Sequence, residues 1–371
     1  MATTVVNPSD SIAVKLYSVA LFRYALGESF WLKPKRFRGA EFIKRGGNQK
    51  RLYGTDGEYP IQVLRDLERS AGDRVSFDVF PDIKGDGVYG DNIIKGKEKD
   101  LSWFTDELFI DQVRNSVSAG GRMSRKRTKH DLRTQARLSL ERWFARYFDE
   151  VITCYLAGRR GINTNQWVLP TTWNGFAGNP LQPSDAEHSL TIDGSGAISH
   201  NPADATTLKL SWFDKIDTYL STMDTPPNPI MVDGEPCYIV VLHPKAVEQL
   251  RTDASANNWI DIMKSAGARG DSNYIFTDSL GRYGRFILYK YSKIPVFTQG
   301  SKTLANCLIL GTQAAAVAFG DAGGDFNMSW HEEYDDRGNL YTATAGVIWG
   351  VKKVRFNGKD FGSCSLYVDI T

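Results

Sequence analysis

The stretch Thr128–Leu156, TKHDLRTQARLSLERWFARYFDEVITCYL, contains neither proline nor glycine. Leu132, Ala136, Leu140, Trp143, Tyr147, Val151 and Tyr155 recur three or four apart and stack into one apolar stripe. Arg133, Arg137, Glu141, Arg142, Arg146, Asp149 and Glu150 supply most of the opposite face. The spacing predicts one unbroken helix about 40 Å long at ~1.5 Å per residue. Thr128 with Asp131 forms a capping-box-like start, and Gly158 stands where a C-cap belongs. A helix this much longer than the usual globular one is a mechanical element on which the rest of the chain must be hung.

At 371 residues and 42% hydrophobic, the chain can bury a substantial core in one elaborated domain or several. A formal net charge of only +2 argues against a uniformly basic coat and leaves room for local patches. No apolar run is long enough for a transmembrane helix, and MATTVVNPSDS lacks the basic-then-apolar layout of a secretory signal. Cys154, Cys237, Cys307 and Cys364 form no CxxC pair and sit in apolar contexts, as buried, reduced thiols of a soluble intracellular protein do.

Toward the N-terminus, Ser11–Leu26 has helical apolar spacing, and Lys33–Arg51 is strongly basic. Such a segment is too short to fold alone and reads as an arm. A solvated basic face and a contact with a neighbouring subunit or polyanion both fit it. From Asp73 the period becomes two, with Val75, Phe77 and Val79, and it returns at Leu108, Ile110 and Val113. The charged, glycine-rich PDIKGDGVYGDNIIKGKEKDLSW between them makes an extended hairpin whose outer half has no core of its own and needs another chain to hold it. The densest basic cluster, GRMSRKRTK at 121–129, leads into the long helix, where its charge would oppose the helix dipole. A solvated turn, a phosphate contact and a bridge to an acidic neighbour all suit it.

Beyond the helix, 159–204 is polar and turn-rich and reads as a surface excursion. Strands at Cys237–Leu242, Phe286–Tyr291 and Ala305–Leu310, with a helix opened by His243-Pro244, describe a compact α/β unit. The last stretch, 340–370, is β, and Asn357-Gly358 between strand-like runs signals a hairpin.

Candidate chemistry is sparse. Gly85-Asp86-Gly87-Val88-Tyr89-Gly90 fits GxGxxG, but a dinucleotide loop needs a helix immediately behind it, and DNIIKGKEKD is loop-like and acidic. His331–Asp336 bunches carboxylates beside an imidazole without metal-ligand spacing and reads as a solvated acidic loop. His130, His188, His200 and His243 define no catalytic set. The expectation is a non-enzyme without cofactor or metal.

Several motifs fall in one collinear order. The strand from Asp73 leads to the tip at Gly85–Asp91, then to Ile110-Asp111 with Arg114, the turn at Gly121–Thr128, and the helix closing at Leu156–Gly158. Leu242-His243-Pro244, GVKK at 350–353, FNG at 356–358 and DFG at 360–362 follow. This order resembles the major capsid proteins of the phage N4 type. The resemblance implies an α+β, HK97-like capsid fold: an N-terminal arm and lead-in (1–70), an extended loop hairpin (71–127), a peripheral domain with the spine helix and surface excursion (128–235), an axial domain (236–335) and return strands of the peripheral domain (336–371). It also implies the major capsid protein of a tailed double-stranded DNA phage, assembled in the host cytoplasm into pentamers and hexamers of an icosahedral head. The implied partners are further copies of the chain, scaffolding and portal proteins, a decoration protein, and packaged double-stranded DNA held non-specifically, with no membrane. Inter-subunit contacts are expected at Lys84, Asp86, Asp91, Lys95 and Lys97 of the hairpin and at Arg122, Arg125 and Arg127. An encapsulin-like cellular shell and a DNA-binding protein using 122–129 are the alternative readings.

Overall fold

The structure is a computed structural model that describes residues 21–22, 24–32, 37, 59–64, 72–79, 86–96, 98, 104–128, 131–162, 167–232, 234–252, 280–320 and 328–371. Apart from Phe37, the basic arm at Lys33–Arg51 lies outside these residues, as do the start of the Ser11–Leu26 helix, Lys84, Lys97 and Lys129.

The long helix is present as Leu132–Ala157, but it begins later than the capping pattern suggested. Asp131 is its N-cap, accepting the Arg133 N–H at 3.1 Å, and the Thr134 hydroxyl on the same carboxylate (2.6 Å) helps hold Asp131 below the usual carboxylate range. The basic cluster forms a separate short helix, Arg122–Arg127, with Arg125, Lys126 and Arg127 in its last turn. There positive charge favours the dipole, which corrects the expectation that it opposes one. Gly158 ends the spine in the left-handed region (φ 67°). A side chain there would also drive into the Gln182 carbonyl, 2.3 Å from an ideal Cβ, so only glycine fits.

Two sheets flank the spine. The smaller has Ile61–Leu64 parallel to Ala315–Phe319, which pairs with the long strand Leu340–Lys353. Met328–Asp335 and Asp111–Ser118 also pair with that strand. The larger, nine-stranded sheet runs Gly281–Tyr283, Phe286–Lys290, Glu235–Leu242, Lys302–Leu310, Ser363–Asp369, Ser189–Ile192, Ile198–Ser199. Val296–Gln299 joins Lys302–Leu310, and Ile230–Val232 joins Glu235–Leu242. Phe148 of the spine meets Trp349 of the smaller sheet edge-on at 4.7 Å. On the other sheet, Asn306 donates to the Ala157 carbonyl at 2.9 Å. One continuous apolar core therefore includes the helix and both sheets.

The spine's polar face differs from its sequence reading. From Tyr147 to Ala157 every residue is buried except Asp149, which is partly buried. The carboxylates assigned to solvent are tethers instead. Glu150 accepts the N–H groups of Val168 (2.6 Å) and Leu169 (2.9 Å) and pairs with Lys293 at 2.8 Å. Asp149 accepts the Ser29 hydroxyl (2.5 Å) and the backbone of Phe30 (2.9 Å) and Trp31 (3.3 Å). Glu141, also buried, pairs with Arg137 at 3.4 Å. Donors match Asp149 and Glu150, as burial requires, whereas among the described residues Glu141 has only the ion pair with Arg137, and burial pushes its carboxyl up.

Two further corrections concern strands. Ser189–Ile192, inside the supposed surface excursion, is fully buried and runs parallel to Ser363–Asp369. The Asn357-Gly358 turn does form, with φ 49° and 77°, but its hairpin is only Arg355–Phe356 against Lys359–Asp360. The long strands on either side diverge, Leu340–Lys353 into the smaller sheet and Ser363–Asp369 into the larger. A buried polar network fixes this crossing. Lys353 pairs with Asp360 and donates to Ser184 at 2.8 Å, while Arg355 Nε reaches Asp360 at 2.7 Å. The Asp360 N–H donates to Asp185, which also pairs with the buried His188 ring at 2.8 Å.

Candidate functional site

Arg74–Val79 and Phe104–Phe109 pair antiparallel as a two-stranded ribbon, the base of the expected hairpin. Val75 and Leu108 pack with Leu64, Ala316, Ala318 and Val354, giving the base its own small core. Two tethers hold it. The Asn179 side chain both donates to the Phe109 carbonyl (2.8 Å) and accepts its N–H (3.1 Å), taking the place of a neighbouring strand. Lys352 pairs with Asp106 and donates to the Glu107 carbonyl at 3.0 Å. Gly350 lets the ribbon approach, since an ideal Cβ there would lie 2.1 Å from the Phe109 carbonyl.

Among its described residues the outer loop has no such support. Over 86–96 the described backbone is turn and coil, held by local bonds such as Tyr89 hydroxyl to Asp86 (2.6 Å) and Asn92 amide to the Tyr89 carbonyl (2.7 Å). No helix follows the glycines in this segment, so nothing there builds a phosphate cradle. Asp86, Asp91 and Lys95 are all exposed on this loop. The apolar side chains beside them were not singled out from sequence, yet Tyr89 is 70%, Ile93 76% and Ile94 64% exposed. Fully covering such side chains would be worth roughly 1.5–3 kcal/mol each, more than exposed charged side chains offer, so they are the stronger candidates for a contact. Val-Tyr and Ile-Ile in an otherwise polar loop were the available signal.

Arg122, Arg125 and Arg127 sit on a different element. Their short helix is docked on the turn joining Met328–Asp335 to Leu340–Lys353. Asn339 accepts the Arg122 N–H at 2.9 Å on its side chain and the Arg125 guanidinium at 3.0 Å on its carbonyl. Arg122 and Arg127 are exposed, as are Met123, Tyr334 and Leu340. The supposed acidic loop at 331–336 is mostly strand, and Glu332 turns inward to pair with Arg133 at 2.8 Å. Among the described residues no three His, Cys, Asp or Glu side chains gather as metal ligands, and no helix is long and apolar enough to cross a membrane.

A family model for phage capsid protein matches residues 5–369. The chain belongs to the phage capsid protein family. A curated member, the major capsid protein of Pseudomonas phage KPP25, is 27% identical over 377 residues, covering 91% of this chain and 93% of that one. Among solved structures, the capsid of Ralstonia phage GP4 has a TM-score of 0.77 at 35% identity, over 89% of this chain and 98% of its own. The capsid asymmetric unit of cyanophage Pam1 shares the fold at a TM-score of 0.61 and 18% identity, over 89% and 97% of the two chains. The head structure of Helicobacter pylori bacteriophage KHP40 does so at 0.59 and 13%, over 90% and 95%. The α+β, HK97-like capsid fold expected from the motif order is thus the fold of this phage capsid protein.

Proposed function

We propose that the chain is the major capsid protein of a tailed double-stranded DNA phage, self-assembling into the pentamers and hexamers of an icosahedral head. The observation that carries this, beyond family membership, is the hairpin. Its base is anchored to the smaller sheet through Leu64, Ala316 and Ala318, and its tip presents Tyr89, Ile93 and Ile94 to solvent. A soluble subunit gains nothing from that arrangement until a second copy covers the tip. Many modest inter-subunit burials of this kind close a shell without any single dominant site.

In this reading, 1–70 is the arm and lead-in, the lead-in packing Trp31 and Ile61 into the subunit's own core. The extended loop is 71–127, the peripheral domain 128–235 with 336–371, and the axial domain 236–335, whose sheet also takes in Ser363–Asp369, Ser189–Ile192, Ile198–Ser199 and Ile230–Val232. Lys84, Asp86, Asp91, Lys95 and Lys97 flank the apolar tip contact, and Arg122, Arg125 and Arg127 make a second, polar one. Scaffolding, portal and decoration proteins are the further protein partners, and assembly takes place in the host cytoplasm. The role is structural and involves no catalysis. Electron microscopy of the full chain, expressed alone and with a scaffolding partner, tests the reading. Closed shells are expected, and deletion of 84–99 should leave a soluble folded subunit that forms none. Small oligomers under every condition, or normal particles from the deletion, would overturn it.

A further inference from the structure

The spine carries seven charged side chains between Arg133 and Glu150, and the fold uses five of them internally. Glu141, Asp149 and Glu150 are taken by Arg137, the Ser29–Trp31 segment and Lys293, and Arg133 is taken by Glu332. What faces solvent is Arg142 and Arg146, one turn apart, in line with Thr134, Gln135 and Ser139, all exposed. Neither arginine has a carboxylate within ion-pairing distance among the described residues. Two like charges at i and i+4 are mildly unfavourable on a helix, so the face is better suited to a bound anion than to water alone.

We infer that this face contacts the phosphate backbone of enclosed duplex DNA. The inference rests on the shell reading and adds to it a specific DNA-facing surface. The choice of a polyphosphate over a protein neighbour follows from side-chain type. Arginine, threonine, glutamine and serine are the residues that hold nucleic-acid phosphates without reading sequence. Protein interfaces place large apolar side chains at their centre, and none is exposed on this helix. The hairpin tip, with Tyr89, Ile93 and Ile94, has the opposite make-up and belongs to a protein contact. Arginines about 6 Å apart along the axis of this 26-residue helix can reach adjacent phosphates of a duplex backbone and neutralise them.

The test is a salt titration of the full-length subunit with a fluorescent duplex of arbitrary sequence, comparing wild type with Arg142→Gln/Arg146→Gln and Arg142→Lys/Arg146→Lys. Losing two phosphate contacts lowers the slope of log affinity against log salt by about 2 in the glutamine variant and leaves it nearly unchanged in the lysine variant. Affinity at low salt should fall roughly tenfold or more. Particle formation by the same variants is followed by electron microscopy and should be normal. An unchanged slope overturns the inference. Loss of shells with an unchanged slope assigns the face to a protein neighbour and overturns it as well. Absence of shells from the wild-type chain counts against the shell reading instead, and is seen in a separate measurement.

Discussion

Trp31 donates its indole N–H to the Thr153 hydroxyl at 2.7 Å, and both residues are buried. Thr153 in turn donates to the Asp149 carbonyl one turn back, so its single hydroxyl serves as acceptor and donor. With Asp149 on Ser29–Trp31, this fixes the N-terminal segment to the spine 120 residues away. Thr153→Val keeps the shape and strands the indole, and should cost about 1–3 kcal/mol in urea unfolding of the subunit. No loss of stability would show that this anchor contributes little.

The Lys353–Asp360 pair is buried at both ends. Asp360→Asn leaves a buried ammonium without its counter-charge, with an expected loss of about 3–5 kcal/mol. Lys353→Met together with Asp360→Leu removes both charges and should recover much of that loss. Chemical denaturation of the three proteins checks the order, and equal destabilisation of single and double variants would sink the argument.

Acidity should act in opposite directions at two aspartates. Burial pushes the Asp149 carboxyl up to about 6 despite the donors around it. Between pH 4 and 6, roughly from its unfolded to its folded pKa, the folded chain holds this proton more tightly. Its contribution to stability therefore falls as pH rises through that window, and Asp149→Asn should flatten the slope there. Burial also pushes Asp185 up, but His188 and the Asp360 N–H outweigh it and hold the carboxyl at about 2. That contribution is present above about pH 4 and is lost as pH falls toward 2. Asp185→Asn should remove the low-pH loss alone, which subunit melting between pH 2 and 7 will reveal.

Replacing Tyr89, Ile93 and Ile94 together by serine should leave subunit unfolding within about 0.5 kcal/mol of wild type for each site, because the side chains are already solvated. Closed particles should be lost. Sedimentation and electron microscopy provide the measurements, and normal particles would show that the tip is not a contact.

The spine's existence, its C-cap and most of its apolar stripe were legible because helical period and a terminal glycine are local signals. Its start was misplaced because Thr128 mimics a cap that Asp131 provides. Trp143 belongs to the stripe yet is only partly buried, while Phe144 and Phe148 are fully so. Glu141, Asp149 and Glu150 were given to solvent because periodicity registers polarity but not partners, and the groups that satisfy Asp149 and Glu150 lie far away in the chain. Ser189–Ile192 was missed because four residues carry too little pattern to distinguish a core strand from a loop. At the hairpin the chain's charges drew attention, whereas the exposed apolar residues became visible only once the structure showed nothing covering them.

The strand Leu340–Lys353 pairs with the segment that continues the ribbon. Phe104–Phe109 runs almost directly into Asp111–Ser118, whose ladder with Trp349–Thr342 is continuous. Ladder hydrogen bonds stand perpendicular to the strands. A neighbour tugging on the loop along its length would therefore load those bonds together, in shear, rather than open them singly like a zipper. A lattice joined through such loops can carry hoop tension from a pressurised interior without any one contact being strong.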